Sequence, residues 1–180
     1  MRQRKRKFLI RPRIDGIVLR NRVDRNLQQK RRRFFPMLSE VEVIYHRPKH
    51  SQMVRIATSK DAYELLIQLF DPRKIDYKEM FYVIFLSRAN TCLWYSQIGI
   101  GSDCEVTVHI KEILQLALKT NACGLILSHN HPSGRLTGSI PDRRLTEKVR
   151  EACRFFDVHV LDHIILSSEG YISLQEEGLM

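Results

Sequence analysis

Residues 123–142 read CGLILSHNHPSGRLTGSIPD, and this stretch contains His129, His131, Ser139 and Asp142 at the spacing His-x-His, seven residues, serine, two residues, aspartate. Two imidazoles and one carboxylate are ligands that Zn²⁺ takes when its fourth position stays open for water, whereas structural zinc usually has four protein ligands. The stretch therefore predicts an open zinc site of the catalytic type, with His129, His131 and Asp142 as the metal ligands.

The residues around these four side chains predict how they come together. Residues 123–128 are a short apolar run, typical of a buried strand. In an extended chain, residues two apart point to the same face, so both histidine rings can reach one metal. Residues 132–134 predict a loop, and Asp142 follows Pro141 at the start of a helical pattern. We expect the strand end, the loop and the helix start to meet at one point.

Ser139 and Asp142 also fit a simpler pattern. Ser-x-x-Asp before a helix is a capping box, with Pro141 in the first helical turn. A His-x-His pair alone is more often part of a surface loop. The joint pattern, however, is expected by chance in roughly one chain per thousand of this size. Its position between a buried strand and a helix start favours the metal site.

The segment SHNHPSG at residues 128–134, together with Ser139 and Asp142, resembles the RadC-type branch of the JAB/MPN (JAMM) metallopeptidase domains. The resemblance covers roughly residues 57–180 and includes the segments at residues 108–119, 160–166, 169–174 and 177–179. It implies an α/β fold with a mixed sheet, arranged as a three-layer α-β-α domain similar to that of cytidine deaminases. It also implies hydrolysis of peptide or isopeptide bonds with one Zn²⁺ per chain, and a link to DNA repair.

The resemblance assigns two further roles. The serine that supports the developing oxyanion in that family corresponds to Ser139. The catalytic glutamate, which precedes the first strand of the family's domain, corresponds to Glu79, just before the apolar run MFYVIFL. Glu105 and Glu112 are the alternatives for this glutamate. In the mechanism implied, Glu79 acts as general base and then general acid, and Ser139 donates a hydrogen bond to the oxyanion.

Two departures from the family pattern stand out. Gly138 occupies the position where the family usually has proline, and no helix-hairpin-helix region is recognisable upstream. The chain therefore resembles a short form, without the region on which a DNA role of longer relatives could depend. Asp162 and His163 are open to two interpretations. They could orient a metal-ligating histidine from behind, or form a turn between two strands with a satisfied histidine, which their spacing favours.

Apolar periodicity predicts the other elements. Helices are expected after Thr58, which forms a capping box pattern with Asp61, and around residues 110–118. Strands are expected at residues 40–45, 80–86 and 92–100, with two or three short strands from 158 to 174. Because strands and helices alternate, we expect a mixed sheet with helices on its faces.

Composition limits the class of protein. The chain has 180 residues, of which 43% are hydrophobic, enough for one domain with a core and an extension. No apolar run approaches a transmembrane helix, and residues 8–10 are too short for a signal-peptide core, so no membrane contact is expected. Four scattered cysteines without a Cys-x-x-Cys pair fit reduced thiols of a cytoplasmic protein better than disulfides: Cys92, Cys104, Cys123 and Cys153.

Positive charge is concentrated at the N-terminus. The chain has a net charge of +10, and residues 1–36 hold 14 of its 30 Lys and Arg but only two of its 20 acidic residues. Such a block resists folding and attracts phosphate backbones without reading sequence. We expect a disordered basic arm at residues 1–36, a short strand and linker at 37–56, and the RadC-like domain at 57–180. The arm could equally be a solvated tail, or Met37 the true start.

Two classes of function follow. The first is a zinc-dependent amide hydrolase with a peptide or protein substrate. The second is a nucleic-acid-associated accessory protein that uses its basic arm, with a non-proteolytic metal centre, and both could be combined in one chain. A zinc deaminase is excluded, because it requires His-x-Glu and a later Pro-Cys-x-x-Cys. No Gly-x-Ser-x-Gly elbow and no phosphate-binding Gly-x-x-x-x-Gly-Lys loop is present.

Overall fold

The computed structural model describes residues 17–22, 40–45 and 53–180, and the chain divides into two compact units between Arg47 and Pro48. In the first unit, β1 (Ile17–Arg22) pairs antiparallel with β2 (Glu40–Tyr45), with Ile17 opposite Tyr45. The strand predicted at residues 40–45 is confirmed. β1 lies within residues 1–36, where the sequence predicts a disordered basic arm, and each of its residues is paired with β2. The rest of the predicted arm lies outside the described residues.

In the second unit, the described residues 53–180 form one five-stranded sheet and three helices. The sheet order is β4-β3-β5-β6-β7, and every neighbouring pair is antiparallel except β5 and β6, which are parallel. The elements in chain order are α1 (Ser59–Leu69), β3 (Met80–Leu86), β4 (Cys92–Ile100), α2 (Ile110–Thr120), β5 (Gly124–Asn130), α3 (Ile140–Arg154), β6 (His159–Leu166) and β7 (Tyr171–Ser173).

The central strands β3 and β5 are buried along their whole length, because helices cover both faces of the sheet. Side chains alternate between the faces. Residues such as Phe81 and Leu127 pack with α2 and α3, whereas residues such as Ile84 and Ile126 pack with α1 on the opposite face. The three-layer α-β-α arrangement predicted from the resemblance is confirmed, as are the mixed sheet and the helices expected at both faces.

Strand register brings distant segments to one end of the sheet. Phe81 near the start of β3 lies opposite His129 near the end of β5, so Glu79 is brought to the histidine end of the strand. The parallel partner β6 places His163 opposite Leu127. The crossover helix α3 begins ten residues after β5 ends. The end of β5, the segment before β3 and the start of α3 therefore lie at the same end of the sheet.

No helix among the described residues combines the length and the apolar character needed to cross a membrane. The four cysteine thiols are free, as the sequence predicts.

Candidate metal centre

Three side chains converge beyond the end of β5. His129 is the buried sixth residue of this strand, His131 follows directly after it, and Asp142 lies in the first turn of α3. The Nε2 atoms of the two histidines are 2.9 Å apart. Asp142 Oδ1 lies 3.2 Å from His129 Nε2, and Oδ2 lies 3.7 Å from His131 Nε2. Two donors about 2.0–2.1 Å from a tetrahedral zinc lie roughly 3.4 Å apart, so these distances suit a shared metal ion.

The start of α3 is a capping box that also presents the carboxylate. Ser139 donates to Asp142 Oδ2 from its main-chain N–H at 2.7 Å and from its hydroxyl at 2.6 Å. In return, the Asp142 N–H donates to Ser139 Oγ at 3.2 Å. The two interpretations of this pair are therefore compatible. The capping box is formed, and it holds Asp142 so that Oδ1 faces His129.

A hydrogen-bonded chain behind His129 fixes which ring nitrogen faces the centre. The Thr146 hydroxyl donates to the main-chain oxygen of Asp142 at 2.7 Å, so it accepts from His163 Nδ1 at 2.6 Å. A neutral imidazole has one N–H, so His163 Nε2 carries a lone pair. It accepts from His129 Nδ1 at 2.8 Å. His129 Nε2 is left with a lone pair directed at the centre.

His131 also presents a lone pair on Nε2 to the centre, but a different hydrogen bond determines this. Its Nδ1 lies 2.7 Å from the carbonyl oxygen of Arg135, which can only accept, so Nδ1 carries the proton. In the neutral ring Nε2 is then a lone pair that faces His129 Nε2. Two lone pairs and a carboxylate at this separation repel one another unless a positive charge lies between them. The donor set therefore fits a metal cation, and one ligand atom from each of His129, His131 and Asp142 lies within 4.8 Å of the other two.

The pKa shifts of the side chains in the centre agree with a site that attracts positive charge. Burial lowers the pKa of His163 well below its usual range, so this ring stays neutral. The hydrogen bond with Asp142 raises the pKa of His131. Burial alone would raise the pKa of Asp142, but its bonds with His129, His131 and Ser139 hold that pKa well below its usual range. A proton on His131 balances the carboxylate in the absence of metal, and metal binding would release it.

Asp162 and His163 do not form a turn, so the interpretation that the sequence favoured is wrong. Both lie inside β6. The Asp162 carboxylate accepts from the His163 N–H and the Ser173 hydroxyl, each at 2.7 Å, and thus fastens β6 to β7. His163 is satisfied, as expected, but by His129 and a threonine of α3. The apolar residues on either side of this polar pair were the sequence signal for a strand.

Glu79 lies just before β3 and is buried, with 9% of its surface exposed. It lines a cleft of about 950 Å³ together with His129, His131 and Asp142. Burial raises its pKa, which the neighbouring histidines oppose. Glu105 lies on the wall of the same cleft but is exposed. Glu112 lies in the first turn of α2 and is not among the lining residues of this cleft. The catalytic roles of Glu79 and Ser139 stay predictions.

Gly138, the departure from the family pattern, has a packing reason. A Cβ atom built at this position would lie 2.6 Å from Leu174 Cδ2, closer than real Cβ atoms approach other atoms. Glycine lets the loop before α3 pass close to the segment that follows β7. The loop is thus held by close contact rather than by the rigid ring of proline.

Fold and site together define an α/β domain with a candidate metal centre at the end of its central strands. Residues 56–179 match the RadC-like JAB domain, and the chain belongs to this family. A UPF0758 protein from Haemophilus ducreyi is 36% identical over 128 residues, which are 71% of this chain and 57% of that protein. The chain thus spans somewhat more than half the length of this relative. The resemblance noted in the sequence is confirmed.

Proposed function

We propose that the protein is a zinc-dependent hydrolase of amide bonds, with a peptide or isopeptide substrate. The observation that carries the proposal is the convergence of two imidazole lone pairs and the Asp142 carboxylate beside the buried carboxylate of Glu79. When bound to such ligands, Zn²⁺ lowers the pKa of water to about 7 and polarises a carbonyl oxygen. Side chains of the cleft carry out the remaining steps of the proposed reaction.

Glu79 is suited to carry a proton. Burial raises its pKa, against the effect of the two histidines, and a carboxylate becomes a stronger base as its pKa rises. In the proposed reaction, Glu79 takes the proton of the attacking water and delivers it to the nitrogen of the departing amine. Its place on the same cleft as the three ligands supports this role.

Ser139 can support the oxyanion without releasing Asp142. The Ser139 hydroxyl donates to Asp142 Oδ2, but the Ser139 main-chain N–H donates to the same oxygen at 2.7 Å. If the hydroxyl rotates towards a substrate oxygen, the N–H still holds the carboxylate. The hydroxyl is then free to donate to the negative charge that develops on the tetrahedral intermediate.

The test replaces Glu79 by glutamine and Glu105 by glutamine, in separate full-length chains. The probe is a quenched fluorescent peptide library that contains both α-peptide and lysine isopeptide bonds. We expect Glu79→Gln to retain zinc and to lose about 10²–10⁴-fold in rate, the usual contribution of general acid–base catalysis, while Glu105→Gln stays near wild type. Loss of activity in Glu105→Gln alone would exchange the two roles. Loss of zinc from Glu79→Gln would make this carboxylate a ligand.

A second candidate function rests on the uneven charge of the chain. Residues 1–36 carry 14 basic and two acidic residues, while the remaining residues carry 16 basic and 18 acidic ones. We infer that this arm attaches the protein to nucleic acid without reading its sequence. The metal centre would then be non-proteolytic, or the arm would place the hydrolase on DNA in the context of repair. Four free thiols favour the cytoplasm as the compartment.

A further inference from the structure

Asn130 lies between the two candidate histidine ligands but is buried on the opposite face of β5, with no exposed surface. Its side chain makes three hydrogen bonds, all to main-chain groups of one segment. The N–H of Met80 donates to Asn130 Oδ1 at 2.7 Å. Asn130 Nδ2 donates to the carbonyl oxygens of Ile75 at 2.6 Å and Lys78 at 2.8 Å. Two of these groups belong to the residues on either side of Glu79.

The main chain of Glu79 itself is held from the other side. Its N–H donates to the carbonyl oxygen of Ser102 at 2.7 Å, and its carbonyl oxygen accepts from the N–H of Gly101 at 2.8 Å. The segment after β4 thus holds Glu79, while Asn130 holds both neighbouring peptide groups. Every main-chain group from the Lys78 carbonyl to the Met80 N–H therefore has a partner.

We propose that Asn130 is a positioning residue, which fixes the Glu79 carboxylate relative to His129 and His131. The proposal rests on the role of Glu79 in the proposed function. Because one three-residue segment carries both histidines and the amide, the hydrogen bonds of Asn130 tie the Glu79 segment directly to the two histidines. A displacement of about 1 Å between reacting groups can cost about 10²-fold in rate, so this connection matters for catalysis.

An amide is the side chain that this position requires. The site presents one N–H donor and two carbonyl acceptors, and an amide offers one carbonyl oxygen and two N–H donors. Aspartate would place a carboxylate against two carbonyl oxygens, and an apolar residue would leave all three buried groups without partners, at a cost for each. The middle residue of the His-x-His pattern is therefore specified by the segment that carries Glu79.

The chain offers a matched control on the same strand. Ser128 lies two residues before Asn130, faces the same side of β5 and is fully buried, but its hydroxyl has no hydrogen-bond partner among the residues that the structure describes. Ser128→Ala therefore changes the same face without loosening the Glu79 segment. Asn130→Ala and Asn130→Thr are the test variants. Threonine suits a strand and keeps one hydroxyl, so it covers the case in which the alanine variant does not fold.

The first measurement needs neither zinc nor substrate. The pKa of the Glu79 carboxyl is followed by ¹³C NMR in the zinc-free full-length chain, with Glu79→Gln used to assign the signal. We expect a raised pKa in wild type and in Ser128→Ala, and a fall towards the ordinary value in the Asn130 variants, whose released carboxylate reaches water. The same pKa in Asn130→Thr and Ser128→Ala would overturn the proposal, whether or not the protein proves to be a hydrolase.

The second measurement uses the peptide library described above. We expect Asn130→Thr to lower kcat by tenfold to a hundredfold with KM and zinc content unchanged. In a Glu79→Gln background the same change should cause no further loss, because Asn130 acts through Glu79. An additive loss in the double variant would mean that Asn130 acts elsewhere. If wild type hydrolyses no probe, the proposed function fails, while the NMR titration still decides the role of Asn130.

Discussion

His163 connects the hydrophobic core to the candidate ligands. The ring is fully buried, bonds to His129 on one side and to Thr146 on the other, and stands edge-on to Phe81, with ring centroids 5.7 Å apart. Phe81 also stacks against His129, with centroids 6.1 Å apart. The His129 ring is thus held by a hydrogen bond and by packing, so its orientation does not depend on the metal.

Two buried threonines allow this connection to be tested. Thr146 in α3 and Thr120 in α2 each have 2% of their surface exposed, and each hydroxyl donates to the carbonyl four residues earlier. Only Thr146 also accepts from His163. We expect Thr146→Val to weaken zinc binding by about tenfold, within the range typical of groups that orient metal ligands. Thr120→Val should leave it unchanged. The measurement is a competition titration with a zinc indicator, and equal affinities in the two variants would contradict the role of this chain.

The sequence predicts the candidate ligands, but it leaves the role of His163 behind them open between two interpretations, for a physical reason. His129, His131 and Asp142 lie within 14 residues of one another, so a strand, a loop and a helix start suffice to predict that they meet. His163 reaches His129 only through the parallel pairing of β5 with β6, which contains a register shift between Leu125 and Ile126. A shift of one residue would turn His163 to the other face, and no local pattern determines it.

Two helices begin with the same motif, yet only one of the two contributes to the candidate metal centre. Thr58 and Asp61 form a capping box at α1, as Ser139 and Asp142 do at α3. Both motifs bond the first turn of the helix, but Asp142 also faces the two histidines. The capping box therefore explains how the carboxylate is held, and the position of the helix explains what the carboxylate does.

This pair gives a comparison of matched aspartates. We expect Asp142→Ala to lose zinc, whereas Asp61→Ala should bind one zinc per chain and lower only the melting temperature, because it removes a helix cap alone. The measurement is the metal content of purified chains after dialysis, beside His131→Ala as a second ligand variant. Full zinc content in Asp142→Ala would remove this residue from the ligand set.

The sequence predicts strands with an apolar run better than strands that are recognised only by their pairing with a neighbour. β3 is apolar along its whole length and β5 begins with a short apolar run, so the burial of both strands could be predicted directly. In β6 the polar pair Asp162 and His163 interrupts the run and imitates a turn, although both side chains find partners inside the fold. The local sequence of β1 does not by itself predict a strand, and in the structure this segment pairs antiparallel with β2.

Metal binding should stabilise the whole domain, because the candidate ligands come from β5, the loop after it and α3. A metal that binds only the folded state shifts the folding equilibrium towards that state. Protons compete with the metal at His131, whose pKa is raised by the hydrogen bond with Asp142. Zinc should therefore raise the melting temperature more at pH 7.5 than at pH 5.5. Calorimetry with and without a chelator measures this difference. An equal effect of the chelator in Asp142→Ala would show that zinc binds elsewhere.

The charge asymmetry leads to a prediction for the full-length chain. Replacing residues 30–33 (Lys-Arg-Arg-Arg) by glutamine removes four positive charges from the arm. The matched control removes four exposed charges from α3 by glutamine at Arg143, Arg144, Lys148 and Arg154. Phosphates that the arm neutralises release their counterions, so we expect the arm variant to bind duplex DNA more weakly. The slope of log affinity against log salt concentration should be shallower by roughly 0.9 for each phosphate that the arm no longer neutralises. A salt titration by fluorescence anisotropy measures both variants, on two unrelated sequences that should bind alike. A larger loss of affinity in the α3 variant would instead place nucleic-acid binding on the domain, beside the cleft.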